Sequence, residues 1–168
     1  MSLRLAAVAV VAMTALSTSA GAQVLNEKNI SVHLALQIAE TALACGGDHV
    51  SVAVVDRTGR LRVFLQGDGA APHNIELSRR KAYTAETFGR TSLEWAKRTA
   101  ADAPATGAGQ NIQGQRALTD VIPLQGGVPI KVGNVTIGGV GLSGAPMGGP
   151  QEEACGKAGI DKVADQLK

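Results

Sequence analysis

The sequence predicts an α+β fold built on an antiparallel sheet of about five strands. The first ground is that β-branched, apolar segments follow one another across tight turns, once over residues 49–66 and again over residues 126–144. The second is that segments of helical period flank these strand pairs instead of alternating with single strands. That order predicts layers, with helices packed on a sheet, over a doubly wound parallel sheet.

In chain order, Ser31 can cap a helix reaching to about residue 45, in which Leu34, Ile38, Ala42 and Cys45 make one apolar stripe and Gly46-Gly47 stop it. Residues 49–56, HVSVAVVD, alternate and then become uniformly apolar, as a central strand does. Arg57-Thr58-Gly59 turns the chain into a second strand over residues 61–66. Gly67-Asp68-Gly69 breaks it, and Pro72 suits the start of a helix over residues 74–88 whose inward side chains are Ile75, Ala82, Ala85 and Phe88. A short helix around Trp95 occupies residues 92–100. Residues 101–116 hold Pro104 and several glycines and glutamines without apolar period, and read as a long surface loop. A short strand is expected near residues 118–124.

The hairpin over residues 126–144 is expected at the centre of the sheet. Val128, Ile130 and Val132 alternate with Pro129 and Lys131, Gly133-Asn134 makes the turn, and Val135, Ile137 and Val140 resume the apolar run. Gly138, Gly139 and Gly141 weaken that second arm, so another backbone or a ligand is expected to approach it closely. The last helix starts near Gln151, with Glu152 and Glu153 at its positive end, Lys162 and Lys168 at its negative end, and Ile160, Val163, Ala164 and Leu167 facing inwards.

Residues 1–22 have the parts of a secretory signal peptide: Arg4, an apolar run from Leu5 to Leu16, and a small-residue end at Ala20-Gly21-Ala22. The run is too short to span a bilayer, so cleavage before Gln23 is expected to leave a single domain over residues 23–168 with no membrane segment. Its 15 basic and 14 acidic residues nearly balance, and Phe64, Tyr83, Phe88 and Trp95 are its only aromatics. Neither a basic stripe nor a stacking platform is present, which excludes nucleic acid as a partner.

Five short blocks in order carry a resemblance: Val54-Val55-Asp56 with Gly59; Asp68-Gly69-Ala70; Lys81-Ala82-Tyr83-Thr84-Ala85; Gly126-Gly127-Val128-Pro129-Ile130; and Gly138 to Ser143-Gly144. The chain resembles the GlcG/HbpS-like haem-binding family, related to the C-terminal domain of PduO-type proteins. It departs from that pattern at Pro72-His73-Asn74, where a serine is expected. The resemblance implies α/β/α layers, assembly into a homo-oligomer, and haem or another tetrapyrrole as ligand; the signal-peptide pattern of residues 1–22 adds that the protein is expected to be secreted, in the periplasm. Two other functions fit the same resemblance: an enzyme or accessory protein acting on a small carbonyl or hydroxy-acid metabolite, and an oligomeric sensing or structural partner without ligand.

Imidazole is the usual protein ligand of haem iron, so His33 and His73 are the candidate axial ligands, with Met147 and Tyr83 as further candidates and His49 structural. No histidines stand at metal spacing, and no metal site is expected. Ser78, Ser143, Cys45 and Cys155 lack the neighbours of a nucleophile, so no catalytic residue is assigned. Gly139 to Gly144 matches G-x-G-x-x-G, but a Gly/Pro loop follows it where a dinucleotide site needs a helix. The sequons at Asn29 and Asn134 fall at a helix cap and a tight turn and read as chance matches. Export and an even cysteine count predict a disulfide between Cys45, at the end of the first helix, and Cys155, near the start of the last.

Overall fold

The computed structural model describes residues 25–103 and 112–168. The signal peptide expected over residues 1–22 and the middle of the loop expected over 101–116 lie outside the described residues.

Helix α1, Val32–Gly46, begins where Ser31 Oγ accepts from Leu34 N at 3.2 Å and ends at Gly47, whose φ of 86° an L side chain resists. Two hairpins supply the strands: β1, Ser51–Asp56, with β2, Leu61–Gln66; and β3, Gly127–Val132, with β4, Val135–Ser143. Between them come α2, Asn74–Phe88, and α3, Ser92–Arg98; α4, Gly149–Lys162, closes the chain. A capping box fixes the start of α3, with Thr91 Oγ1 accepting from Glu94 N and Glu94 Oε2 from Thr91 N.

The sheet order is β2-β1-β4-β3, and every neighbouring pair is antiparallel. Period-two alternation divides its side chains between two cores. Val52, Val54, Val128, Ile130, Val140 and Leu142 pack under α1 and α4, against Ala35, Ile38 and Val163. Ala53 and Val55 face the other way, under Ala82 of α2. The result is three layers, α1 with α4, the sheet, and α2. Each fully buried aliphatic side chain in them contributes about 1.5–3 kcal/mol of transfer free energy.

The glycines of β4 set the distance of α2 from the sheet. A Cβ on Gly141 would strike the Ser78 carbonyl, and one on Gly139 the Ala82 carbonyl. The helix backbone therefore rests directly on strand backbone, which is the close approach expected from the glycine run.

Several expectations need correction, among them an inward-facing Ala164, which is exposed. The described residues hold four strands, not about five, because residues 118–124 form none: the Val121 carbonyl accepts from Arg80 Nη2 at 2.6 Å and Ile122 N donates to Thr84 Oγ1 at 2.9 Å. Side chains of α2 thus take the backbone groups that a strand would give to a neighbour. The hairpin of β3 and β4 is not wholly central either, since β3 lies at the edge, where Pro129 is tolerated. Finally, the inner face of α1 runs through Ala35, Ile38, Ala39 and Ala42, leaving Cys45 exposed, and Ile75 is exposed on the first turn of α2.

Candidate functional site

The sheet end where β4 finishes is the meeting place of two helix starts. His73 stands at the N-cap of α2 without a side-chain cap bond, and its ring is exposed. Asn74, the next residue, is buried and accepts from Ser143 Oγ at 3.0 Å. Gly144 follows Ser143, with φ 107°, and opens the Gly/Pro loop that leads to α4 at Gly149. Met147 lies in this loop, held through its backbone N–H by Gln151 Oε1 at 3.0 Å, with its side chain 74% exposed. The segment before β3 reaches the same place, since Gln125 packs on Gly149 and donates to Glu153 Oε2 at 3.0 Å. Exposed Ile75, Leu124 and Met147 belong to three segments at this end of the sheet: the start of α2, the run before β3 and the loop before α4.

Beneath this surface lies a buried ion pair. Lys81 Nζ donates to Glu152 Oε2 at 2.6 Å and to the Leu142 carbonyl at 2.9 Å, while Glu152 Oε1 accepts from Gly144 N at 2.8 Å. Both side chains are nearly inaccessible, with each residue 4% exposed. Burial pushes the Lys81 ammonium below its ordinary value, against the opposing pull of the Glu152 carboxylate. Sequence reasoning assigned Glu152 only to the helix dipole, because nothing local signals a partner 71 residues away.

The two candidate histidines are not brought together. Ile30 N donates to the Ile137 carbonyl, and Arg57 N donates to Asn29 Oδ1, so the start of α1 lies at the opposite end of β4 and β1. Residues 137 and 143 are roughly 20 Å apart along a strand, and α1 covers the opposite face from α2. His33 and His73 of one chain cannot ligate one iron. His33 is exposed on the first turn of α1, where the exposed apolar neighbours in sequence, Val32 and Leu36, belong to the same helix.

His49 Nδ1 lies 2.9 Å from the Gly69 carbonyl, a structural contact between two turns. Tyr83 packs against Gly59 in the turn joining β1 to β2. A cavity of about 420 Å³ opens between the end of α1 and the turns near Asp48 and Asp68, but no histidine lines it. Among the described residues no group of three or more histidines, cysteines or carboxylates could hold a metal ion, and no helix is long and apolar enough to cross a membrane. Cys45 and Cys155 are disulfide-bonded with Cα atoms 5.4 Å apart, which ties α1 to α4 as the cysteine count predicts.

Residues 28–161 match the family model described as haem degrading protein HbpS-like. The crystal structure of HbpS is 32% identical, with a TM-score of 0.74 over 84% of this chain and 94% of that one. A double mutant of Streptomyces reticuli HbpS is 31% identical with the same TM-score, over 94% of this chain and 97% of its own. PduOC in complex with haem shares the fold, at 22% identity and a TM-score of 0.68 over 80% of this chain and 95% of that one. No curated protein matches. The match across most of the chain and the identity to HbpS agree with the order of sequence blocks, and this chain belongs to the HbpS-like family.

Proposed function

We propose that this protein binds haem or a related tetrapyrrole where α2 begins, with His73 as axial ligand of the iron. One observation favours this place: an exposed imidazole stands at the sheet end where the start of α2, the run before β3 and the loop before α4 each carry an exposed apolar side chain, Ile75, Leu124 and Met147. A flat macrocycle needs an apolar surface wider than one helix face, and the iron needs a nitrogen donor. The group would bring iron and its redox chemistry. The chain's own part is to present the imidazole and cover one face of the ring, and Met147 supplies a thioether close to hand.

The family description and the haem complex of PduOC support the ligand class. Titrating purified protein with haemin should give a shifted, saturable Soret band, which His73→Ala abolishes or moves and His33→Ala leaves in place. Unchanged position and affinity in both variants would refute histidine ligation. A Soret band that decays under a reductant in the presence of dioxygen, with release of iron and an opened tetrapyrrole as product, would extend the reading to the degradation named in the family description.

The same proposal places the mature chain in the periplasm or outside the cell, supported by the leader-like pattern of residues 1–22 and by a disulfide, which persists in oxidising compartments. It also makes the protein a homo-oligomer, consistent with the exposed Leu118, Leu124 and Met147. Light scattering that returns a monomer of about 15 kDa, roughly 100 Da for each residue after the leader, would refute assembly.

A further inference from the structure

We propose that Glu152 and Lys81 form a positioning device for the surface around His73, holding the Met147 loop in register with α2; this rests on the reading of that surface as the ligand site. The pair is too buried to touch a ligand. A buried ion pair is also weak evidence for stability, because well-packed apolar residues often serve as well. What distinguishes this pair is the set of groups it joins. One carboxylate oxygen of Glu152 takes the backbone N–H of Gly144, the first residue of the loop that carries Met147. The other takes Lys81, which lies two turns along α2 from His73, about 12 Å. Lys81 then reaches the Leu142 carbonyl at the end of β4.

These bonds cross layers. Lys81 belongs to the helix on one face of the sheet and Glu152 to a helix on the other, so the pair passes the sheet at the start of β3. Gly126 leaves room for it there, since a Cβ at that position would lie 2.6 Å from Glu152 Oε2. The carboxylate thereby relates three pieces of backbone: the first turn of α4, the end of β4 with its loop, and α2. Neither residue is a ligand; both fix where the ligand groups stand.

Two double variants separate positioning from stability. Lys81→Met with Glu152→Gln removes both charges but keeps an acceptor for Gly144 N–H; Lys81→Met with Glu152→Leu removes the acceptor too. The quantities to compare in each are amide hydrogen exchange of Gly144 and Met147, haemin affinity and Soret position. The expected result is exchange at least about tenfold faster and haemin binding about tenfold weaker in the Leu variant than in the Gln variant, in the range typical of coupling between sites. Equal exchange in the two variants overturns the proposal, as does a Gly144 amide that exchanges freely in the unaltered protein, which requires no variant to fold. Should haemin fail to bind the unaltered protein, the ligand reading falls, while the exchange measurements still decide whether the pair positions the loop.

Discussion

Reducing the Cys45–Cys155 bond should lower stability by an amount set by the unfolded chain. The bond closes a sequence separation of 110 residues between α1 and α4. In the chain-entropy account, opening a loop of that length returns about 16 cal/mol/K to the unfolded ensemble, or about 5 kcal/mol at room temperature. At roughly 2.1 cal/mol/K of unfolding entropy per residue, a domain of this size has an unfolding entropy near 0.3 kcal/mol/K, so the expected fall in Tm is about 15 °C. Calorimetry with and without dithiothreitol, on one sequence, gives the comparison. Cys45→Ser is the better variant to set beside it, because Cys45 is exposed and Cys155 is 1% exposed in the core, where truncation would leave a void. The urea m-value should rise on reduction, since the freed chain exposes more surface. A Tm drop below about 3 °C, or two alkylated thiols in the native oxidised protein, would refute the reasoning.

Two further substitutions test the packing and the charge balance. Gly141→Ala should destabilise by more than about 3 kcal/mol or prevent folding, because its Cβ meets the Ser78 carbonyl, whereas Gly133→Ala, at φ 57° in an open turn, should lose only about 1–2 kcal/mol; equal urea midpoints would contradict the close contact of α2 with β4. Burial acts to raise the Asp56 pKa, but hydrogen bonds from Thr58 Oγ1, Thr58 N and Arg60 N and the charge of Arg62 outweigh it and hold the carboxyl below its ordinary value. A depressed carboxylate stabilises the fold above its unfolded pKa of about 4 and loses that contribution as pH falls through the folded value, so urea midpoints should drop below pH 4 more steeply in the wild type than in Asp56→Asn; parallel curves would remove Asp56 from the account.

The elements with local signals were legible. Pro72 precedes α2, whose bounds at Asn74 and Phe88 are those of the sequence reading, and Gly133 marks the hairpin turn. The cysteine pairing was legible because two cysteines allow one intramolecular bond. What stayed hidden depends on partners distant in sequence. Residues 118–124 have the composition of a strand, and only their docking on Arg80 and Thr84 shows that they are not one. Lys81 and Glu152 look like two ordinary charged helix residues until the fold opposes them. The candidate histidines looked equivalent by residue type, and the antiparallel pairing of β1 with β4 is what puts them at opposite ends of the sheet.

That pairing also governs how the chain reaches its native state. The two hairpins are local, but Ser51 meets Ser143 and Asp56 meets Gly138, contacts spanning 92 and 82 residues. Such long closures slow folding. A nascent chain exposes β1 and β2 first, and one edge of β1, buried along its whole length in the finished sheet, has no partner until β4 has emerged. During that interval an apolar strand edge is open to other chains. Self-association during synthesis should therefore track the time between the emergence of residue 56 and that of residue 143, and a chain cut before β4 should aggregate instead of persisting as a soluble half.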